Sequence, residues 1–297
     1  MLTLEQFLIV VYCMVDDLYR AIVGNVRFRT RGPAPRLYDV DVLVMELVGE
    51  FLGYHQDEKI WAYFQQHWKA WFPGLGHRSS FVKQAAGLWR VKQLIRVCLA
   101  KQLGAFHDPH HLVDGVPMPV CVLGRAKRLK SFRGMTATSY CAAKKVEYHG
   151  FKGHLLVTFE GLITEFTLTA ANVDERQAAW DLADDVVGWW FGDKGYISAF
   201  FKSLLKQQGI DLDTPAKKNM KDTCDPEERS VRMRIRRRVE TVIGQLTERF
   251  ELGVVRARKT LQLTARVERK LLAHTVAFAI NRMFGREPLD FDGLLAQ

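Results

Sequence analysis

The sequence predicts an α/β protein in which a helical region, residues 1–105, precedes a mixed β-sheet flanked by helices, residues 106–297. Before residue 105, apolar side chains recur at helical spacing, whereas short β-rich runs appear after it. In the second region a hairpin pattern comes first, and strands then alternate with helices, which is typical of a mixed sheet with helices packed on it. The composition, 48% hydrophobic and 26% charged over 297 residues, suits one large or two smaller globular domains.

Several helices are predicted in the N-terminal region. The first follows Thr3, which forms with Gln6 the pattern of a capping box ahead of the apolar run FLIVVYCMV. That run is too short to cross a bilayer and no basic segment precedes it, so we interpret it as a buried helix and not as a signal peptide. Further helices are expected at 37–52, 57–72 and 80–103.

The second region begins with strands. A tight turn at Glu160-Gly161 is expected to join two strands within HLLVTFEGLITEFTLTAAN. Later strands are shorter and more apolar, and helical segments lie between them. In chain order the predicted elements are strand 110–121, hairpin 154–172, helix 174–186, strand 186–192, helix 197–208 and strand 209–216.

Two helices complete the chain. Asp225 is a suitable N-cap and Pro226 a suitable first residue for a helix that runs to Phe250. An apolar stripe with helical periodicity follows from residue 235 onwards, which indicates a helix that packs one face on the core. The last helix is expected at about 264–284.

Carboxylates follow two of the predicted strands. The run WWFGDKGY places Asp193 where an apolar strand ends, and HLVDGVP places Asp114 inside or at the end of another. Polar chemistry on a sheet that is buried on both faces belongs at the carboxyl ends of its strands. Two carboxylates on adjacent strands would repel each other unless a cation lies between them, and Mg²⁺ prefers such oxygen ligands. Taken singly, each Asp is more readily explained as a turn former or a helix cap, and that explanation is weaker for the pair.

A third acid, Glu240, lies at the edge of the apolar stripe of the predicted 225–250 helix. A helix packed on the sheet would direct Glu240 towards the two aspartates. Arg236, one turn earlier, is explained either as an ordinary i,i+4 ion-pair partner or as part of a basic helix beside the carboxylates. The density of arginines in RSVRMRIRRRVE favours the second reading and a phosphodiester substrate.

The net charge of +10 favours a polyanionic partner. The basic loop RFRTRGPAPR, residues 27–36, is either a solvated connector or an arm along DNA phosphates. The segment GRAKRLKSFR, residues 124–133, is interpreted as a phosphate-binding loop. In HDPHH, residues 107–111, a polar turn is favoured over a zinc site. The candidate DNA-binding residues are Arg125, Lys127, Arg128, Lys130, Lys144, Lys152, His154, Lys194, Arg232, Arg236 and Arg237.

Three blocks, LVDGVPMPVC, FGDKGY and RIRRRVETVIGQL, together resemble the acidic blocks of bacterial insertion-sequence DDE transposases. The chain is most similar to the insertion sequence 982 family, within the insertion sequence 4-like group. KKVEYHGFKGHLL and LTAANVDE also resemble the region between the first two acids of that family. The resemblance covers roughly residues 105–285. Any one of these blocks alone is weak evidence for the family, whereas the three blocks in this order are fairly specific to it.

The resemblance implies a ribonuclease H-like core with a catalytic triad at Asp114, Asp193 and Glu240. It also implies that this triad binds two Mg²⁺ ions, with Mn²⁺ as a substitute, and uses them to cleave element ends and join the 3′-hydroxyl to target DNA. The implied partners are the terminal inverted repeats, target DNA and a second copy of the chain. The five scattered cysteines favour a reducing compartment, so a cytoplasmic, nucleoid-associated bacterial protein that does not enter a membrane is expected.

The sequence departs from the family pattern at several positions. Gly115 stands where many relatives have Ser, and Met233 and Thr247 occupy the Tyr and Lys positions of a Tyr-Arg-Glu-Lys pattern around the third acid. Arg237 or Arg249 are candidates to replace the lost contacts. Two other functions remain open: a metal-dependent DNA nuclease of the same fold that cuts without joining, and a DNA-binding relict without catalysis.

Overall fold

A computed structural model describes residues 1–24, 34–142, 145–215 and 226–296, apart from the side chains of 226–229, 231–233 and 235. The chain forms two compact units, one made of Met1–Leu99 with Glu248–Gln297 and the other of Ala100–Thr247. The first boundary lies close to the one predicted at residue 105. The C-terminal 50 residues, however, belong to the compact unit that contains the N-terminal helices, which divides the chain differently from the two predicted ranges.

The first unit is helical. Its main elements are α1 (Leu4–Val23), α2 (Asp39–Phe51), α3 (Asp57–His67), α4 (Arg78–Gly87), α5 (Trp89–Gln102, whose last turn enters the second unit) and α9 (Thr260–Met283). The predicted capping box is confirmed, since the Thr3 hydroxyl accepts from the Gln6 amide and the Gln6 side chain accepts from the Thr3 amide. The run between Phe7 and Val15 buries one face of α1, as its periodicity predicts. No helix of the described chain is long and apolar enough to cross a membrane.

A network of buried charges joins α2 to α9. Arg269 is fully buried and pairs through its guanidinium with Glu50 and Asp57, each at 2.6 Å, and with Glu46 at 3.3 Å. Lys92 of α5 pairs with Glu46 at 2.6 Å. Burial disfavours the charged form of a carboxyl group, and it raises the pKa of Glu46. At Glu50 and Asp57 burial acts in the same direction, but Arg269 and neighbouring donors outweigh it and lower the pKa of each to about 2. Charged groups thus form part of the interior of this unit.

The second unit contains a six-stranded mixed sheet in the order β2-β3-β1-β5-β6, with β4 also paired to β3. Strands β1 (His110–Cys121), β3 (Val146–Thr158) and β4 (Ile163–Ala170) are antiparallel neighbours, and β2 (Ala137–Cys141) pairs with the start of β3. Strands β5 (Gly188–Phe191) and β6 (Ile210–Asp213) run parallel to β1. The predicted turn between β3 and β4 is confirmed, with Gly161 at φ 94°.

Helices α6 (Glu175–Trp180), α7 (Ala199–Gln207) and α8 (Pro226–Gly244) accompany this sheet, and one π-helical turn, Gln245–Arg249, continues α8. The predicted cap Asp225 lies outside the described residues. Strand β5 differs from the expectation that both of its faces are buried. Trp190 is buried, whereas Trp189 is 48% exposed, because successive side chains of a strand point to opposite faces.

Candidate active site

The first candidate acid, Asp114, lies within β1. It follows the buried residues Leu112 and Val113, and Leu155 of β3 is its antiparallel partner. Its Oδ1 accepts a hydrogen bond from the Gly115 amide at 2.7 Å. The strand therefore holds the carboxylate at the end of an apolar run, as the sequence predicts.

The second candidate acid, Asp193, follows β5 and caps the short 3₁₀ turn Lys194–Tyr196. Its Oδ1 accepts from the Gly195 amide at 2.7 Å. Strands β1 and β5 are parallel neighbours in which Leu112 pairs with Phe191. Because Asp114 and Asp193 each lie two positions beyond this pair, the two carboxylates leave adjacent strands at the same level of the sheet.

Asp114 and Asp193 line one cavity. Asp213, at the end of β6, and Arg236, on α8, also line it. The rest of the wall is apolar, and includes Leu112, Val113, Phe191, Pro215 and Val239. Among the described residues, the cavity thus combines carboxylates and the Arg236 guanidinium with apolar side chains that cannot hydrogen-bond to water.

Glu240 is on α8 but is not among the described residues that line the cavity. Its carboxylate is more than half exposed and accepts from Arg236 Nε at 3.0 Å. This is the ordinary i,i+4 pair that the sequence offered as one explanation of Arg236. The structure therefore brings the two aspartates together, and it places Arg236 at the cavity with Glu240 behind it.

The environment of Asp114 opposes its ionisation. Burial is the main cause and raises the pKa of Asp114 to about 7, and the negative charges of Asp193 and Glu175 act in the same direction. The bond from the Gly115 amide and the positive charge of Arg236 oppose this shift. Asp114 therefore ionises at a higher pH than an ordinary aspartate does.

We expect Asp114→Asn to stabilise the second unit in metal-free buffer. The folded-state pKa lies above the unfolded value of 3.8, so protonation favours the fold and the wild type loses stability as the pH rises from about 4 to about 7. Urea unfolding of both proteins in EDTA should show the advantage of the variant growing by roughly 2–3 kcal/mol between pH 5 and pH 8. The exposed Asp184→Asn should show no such growth, and an Asp114→Asn advantage that is independent of pH would contradict the raised pKa.

Glu175 is a carboxylate at this site that the sequence did not single out. It is the first residue of α6, whose N-cap is Asp174. Its Oε1 accepts from Lys152 Nζ at 3.1 Å, and a side-chain carbon built at Gly195 would overlap its carboxylate. In sequence it is an acid in the first turn of a helix, which is a common pattern with no site attached to it; only the fold brings it to Gly195.

The candidate DNA-binding residues fall into several groups. Arg125, Lys127, Arg128 and Lys130 are exposed on or just after the 3₁₀ helix Leu123–Arg128. Lys194 and Arg237 are exposed as well, and Arg249, considered as a replacement contact, pairs with Asp292 at 2.6 Å. Lys144 and the side chain of Arg232 lie outside the described residues. The exposed cations of the predicted phosphate-binding loop thus lie within a few residues of one another in sequence.

His154 does not fit its predicted contact with DNA. It is fully buried in β3, and its Nε2 lies 2.9 Å from the Thr169 hydroxyl. Burial lowers the pKa of His154 to about 4, and the nearby Lys152 charge acts in the same direction. The imidazole is therefore neutral at pH 7 and lies in the interior of the protein, where it cannot reach DNA. Lys152 differs from a free surface cation too, since it is half-buried and pairs with Glu175.

The carboxylates of the cavity are the candidate ligands for the expected divalent cation. No three His, Cys, Asp or Glu side chains in the described part of the chain lie close enough to hold one metal ion, and the HDPHH segment is included in this statement. The pair Asp114 and Asp193 nevertheless fits Mg²⁺, which proteins bind through one or two carboxylates while water and substrate phosphates complete its coordination. The raised pKa of Asp114 is consistent with this donor set, because a cation there would relieve the charge repulsion.

In a comparison with protein families, residues 107–260 fit the model of the transposase DDE domain. The matched segment contains β1, β5 and α8, and therefore all three candidate acids. Comparison with curated proteins and with solved structures gave no significant match.

Proposed function

The chain belongs to the transposase DDE-domain family, a family of enzymes that cut nucleic acid, and from this premise we propose that it moves an insertion sequence. In the proposed reaction it cleaves the ends of the element and joins each 3′-hydroxyl to target DNA by phosphoryl transfer that depends on Mg²⁺ or Mn²⁺. A ribonuclease H-like core and membership of the insertion sequence 982 family are parts of the same proposal. The run of antiparallel β1, β3 and β4 followed by parallel β5 and β6 supports the former.

One observation carries the proposal. Asp114 and Asp193 leave adjacent parallel strands in register and line a single cavity. A pair of carboxylates held by a rigid sheet is suited to phosphoryl transfer, in which positioning and electrostatic stabilisation provide most of the catalysis.

Asp114 and Asp193 would hold the divalent cation. When bound, the cation supplies Lewis-acid activation of the attacking and leaving oxygens. Arg236 faces the same cavity and would bind a non-bridging phosphate oxygen, for which a guanidinium is well suited. Glu240 would join the two aspartates only after its ion pair with Arg236 opens, and a phosphate that competes for Arg236 would favour that opening.

The proposed DNA contacts lie outside the cavity. Arg125, Lys127, Arg128 and Lys130 form an exposed cationic segment next to β1, and Lys194 adjoins Asp193. Such contacts position a phosphate backbone without reading its sequence. Pairing of two element ends requires two active sites, so we also propose that a homodimer assembles on DNA.

A strand-transfer assay tests the proposed function. The full chain is given a pre-cut element end with a free 3′-hydroxyl, together with supercoiled plasmid and Mg²⁺. We expect the end to be joined to the plasmid, because a site that aligns water for cleavage can align a hydroxyl in its place.

Three outcomes separate the candidate functions. Joined product supports a transposase. Hydrolysis of the plasmid or of the end without joined product would instead indicate a metal-dependent nuclease of the same fold. DNA binding with neither reaction would indicate a catalytically inactive relict.

A further inference from the structure

An ion pair links the strand next to Asp114 with the helix next to Asp193. Lys152 belongs to β3, and its Nζ lies 3.1 Å from Oε1 of Glu175 at the start of α6. Both side chains are mostly buried, with 19% and 26% of their side-chain surface exposed. A pair with so little water around it is screened less than a surface pair.

The same two side chains lie against the glycines that hold the candidate acids. A carbon built on Gly115 would come within 3.3 Å of the Lys152 stem and 3.8 Å of Glu175 Oε1. A carbon built on Gly195 would overlap the Glu175 carboxylate and come within 2.9 Å of Asp193 Oδ1. The two glycines leave space that the Lys152–Glu175 pair fills.

Those glycines also orient the acids directly. The Gly115 amide donates to Asp114 Oδ1, and the Gly195 amide donates to Asp193 Oδ1, both at 2.7 Å. Any shift of either glycine peptide would therefore rotate the carboxylate bonded to it. The ion pair lies beside both glycines, so a change in the pair would be transmitted to both carboxylates.

The charges around the site give the pair a second effect. Glu175 adds to the negative potential at Asp114. Removing the charge of Glu175 would reduce the attraction of the site for a cation.

We propose that Glu175, held by Lys152, is a positioning residue for a divalent-cation site formed by Asp114 and Asp193. This inference rests on the proposed function, since it presupposes that the two aspartates bind a cation. Glu175 does not itself complete a three-residue metal group, and it acts through the two glycine peptides and through its charge.

Calorimetric titration of the full chain with Mn²⁺, without DNA, tests this proposal. We expect Glu175→Gln to weaken Mn²⁺ binding about 10-fold or more, as is typical when a partner that orients metal ligands is lost. Lys152→Met should also weaken binding, and the double variant should be no worse than the weaker single variant because the two residues act as one pair. Glu147→Gln, an exposed acid on the same strand as Lys152, is the matched control and should bind like the wild type.

Glu175→Asp and Asp114→Asn complete the test. Glu175→Asp keeps the negative charge and should bind Mn²⁺ more tightly than Glu175→Gln does. If the two variants bind Mn²⁺ equally weakly, the positioning role is overturned, even if Glu175→Gln also lowers the midpoint of thermal unfolding. If Asp114→Asn abolishes binding while Glu175→Gln matches the wild type, the inference fails and the cation site stands. If Asp114→Asn binds Mn²⁺ as tightly as the wild type, the proposed cation site itself fails.

Discussion

Asp193→Asn is expected to abolish strand cleavage while DNA binding persists. The substitution keeps the shape of the side chain and the acceptor for the Gly195 amide, but it removes one of the two carboxylate charges that would hold the cation. Enzymes of this kind depend on electrostatic stabilisation for most of their rate, so we expect cleavage to fall by at least about 10³-fold, by analogy with the loss of one stabilising group in other active sites.

The measurement is cleavage of a labelled element end in Mg²⁺, alongside a binding titration of the same DNA in EDTA. Asp184→Asn removes an exposed carboxylate from the same unit and is the control for a change in net charge. It should cleave like the wild type. Cleavage by Asp193→Asn at the wild-type rate would contradict the assignment of Asp193, and loss of DNA binding would indicate misfolding instead.

Asp114 and Asp193 could be found from the sequence because each follows a run of apolar residues. Asp193 lies just past the end of β5, where a sheet exposes polar groups, whereas Asp114 lies within β1. Their common level required the register of β1 with β5, which only the fold supplies. Glu240 was placed on the correct helix, but the orientation of a side chain at the edge of an apolar stripe depends on how the helix packs. Its i,i+4 pairing with Arg236 was one of the two explanations that the spacing offered, and only the fold shows which side chains line the cavity.

Glu175 and His154 show the same limit from opposite directions. Glu175 resembles an ordinary first-turn acid, and it reaches the site because α6 starts beside Gly195. His154 lies two residues after Lys152 and was predicted to contact DNA, but both faces of β3 are buried at this position, so His154 lies in the interior as its neighbour Leu155 does. Local patterns such as the Thr3 capping box were predictable, since their partners lie within one turn.

The charged interior of the helical unit was the least predictable feature. An apolar-rich segment at 37–52 predicted a helix but not that Glu46 and Glu50 would be buried within it. Their partner Arg269 lies more than 200 residues away in sequence. Buried charges are rare unless they are paired, and no sequence spacing identifies a pair that forms between distant helices.

Arg269→Met is expected to destabilise the helical unit strongly. Methionine fills much of the volume of arginine but leaves Glu46, Glu50 and Asp57 without the guanidinium that contacts all three. Removing one partner of a buried charge network costs about 3–5 kcal/mol, which is a large part of the total stability of a typical domain. Urea unfolding followed by far-ultraviolet circular dichroism at pH 7 measures this loss.

Arg258→Met removes the same charge from an exposed position and should change the unfolding free energy by less than about 0.5 kcal/mol. Adding Glu50→Gln to Arg269→Met should recover part of the loss, because it removes one of the three buried carboxylates that lose the guanidinium, although Glu50 keeps its contacts with Lys270 and His55. The pairing also makes the stability depend on pH, because Arg269 helps to lower the pKa of Glu50 and Asp57 to about 2. The contribution of these two carboxylates to the free energy of unfolding is present above pH 4–5 and is lost as the pH falls towards 2. Arg269→Met should therefore lose less stability over that interval than the wild type, and an equal loss in both proteins would show that the network does not couple these carboxylates to the fold.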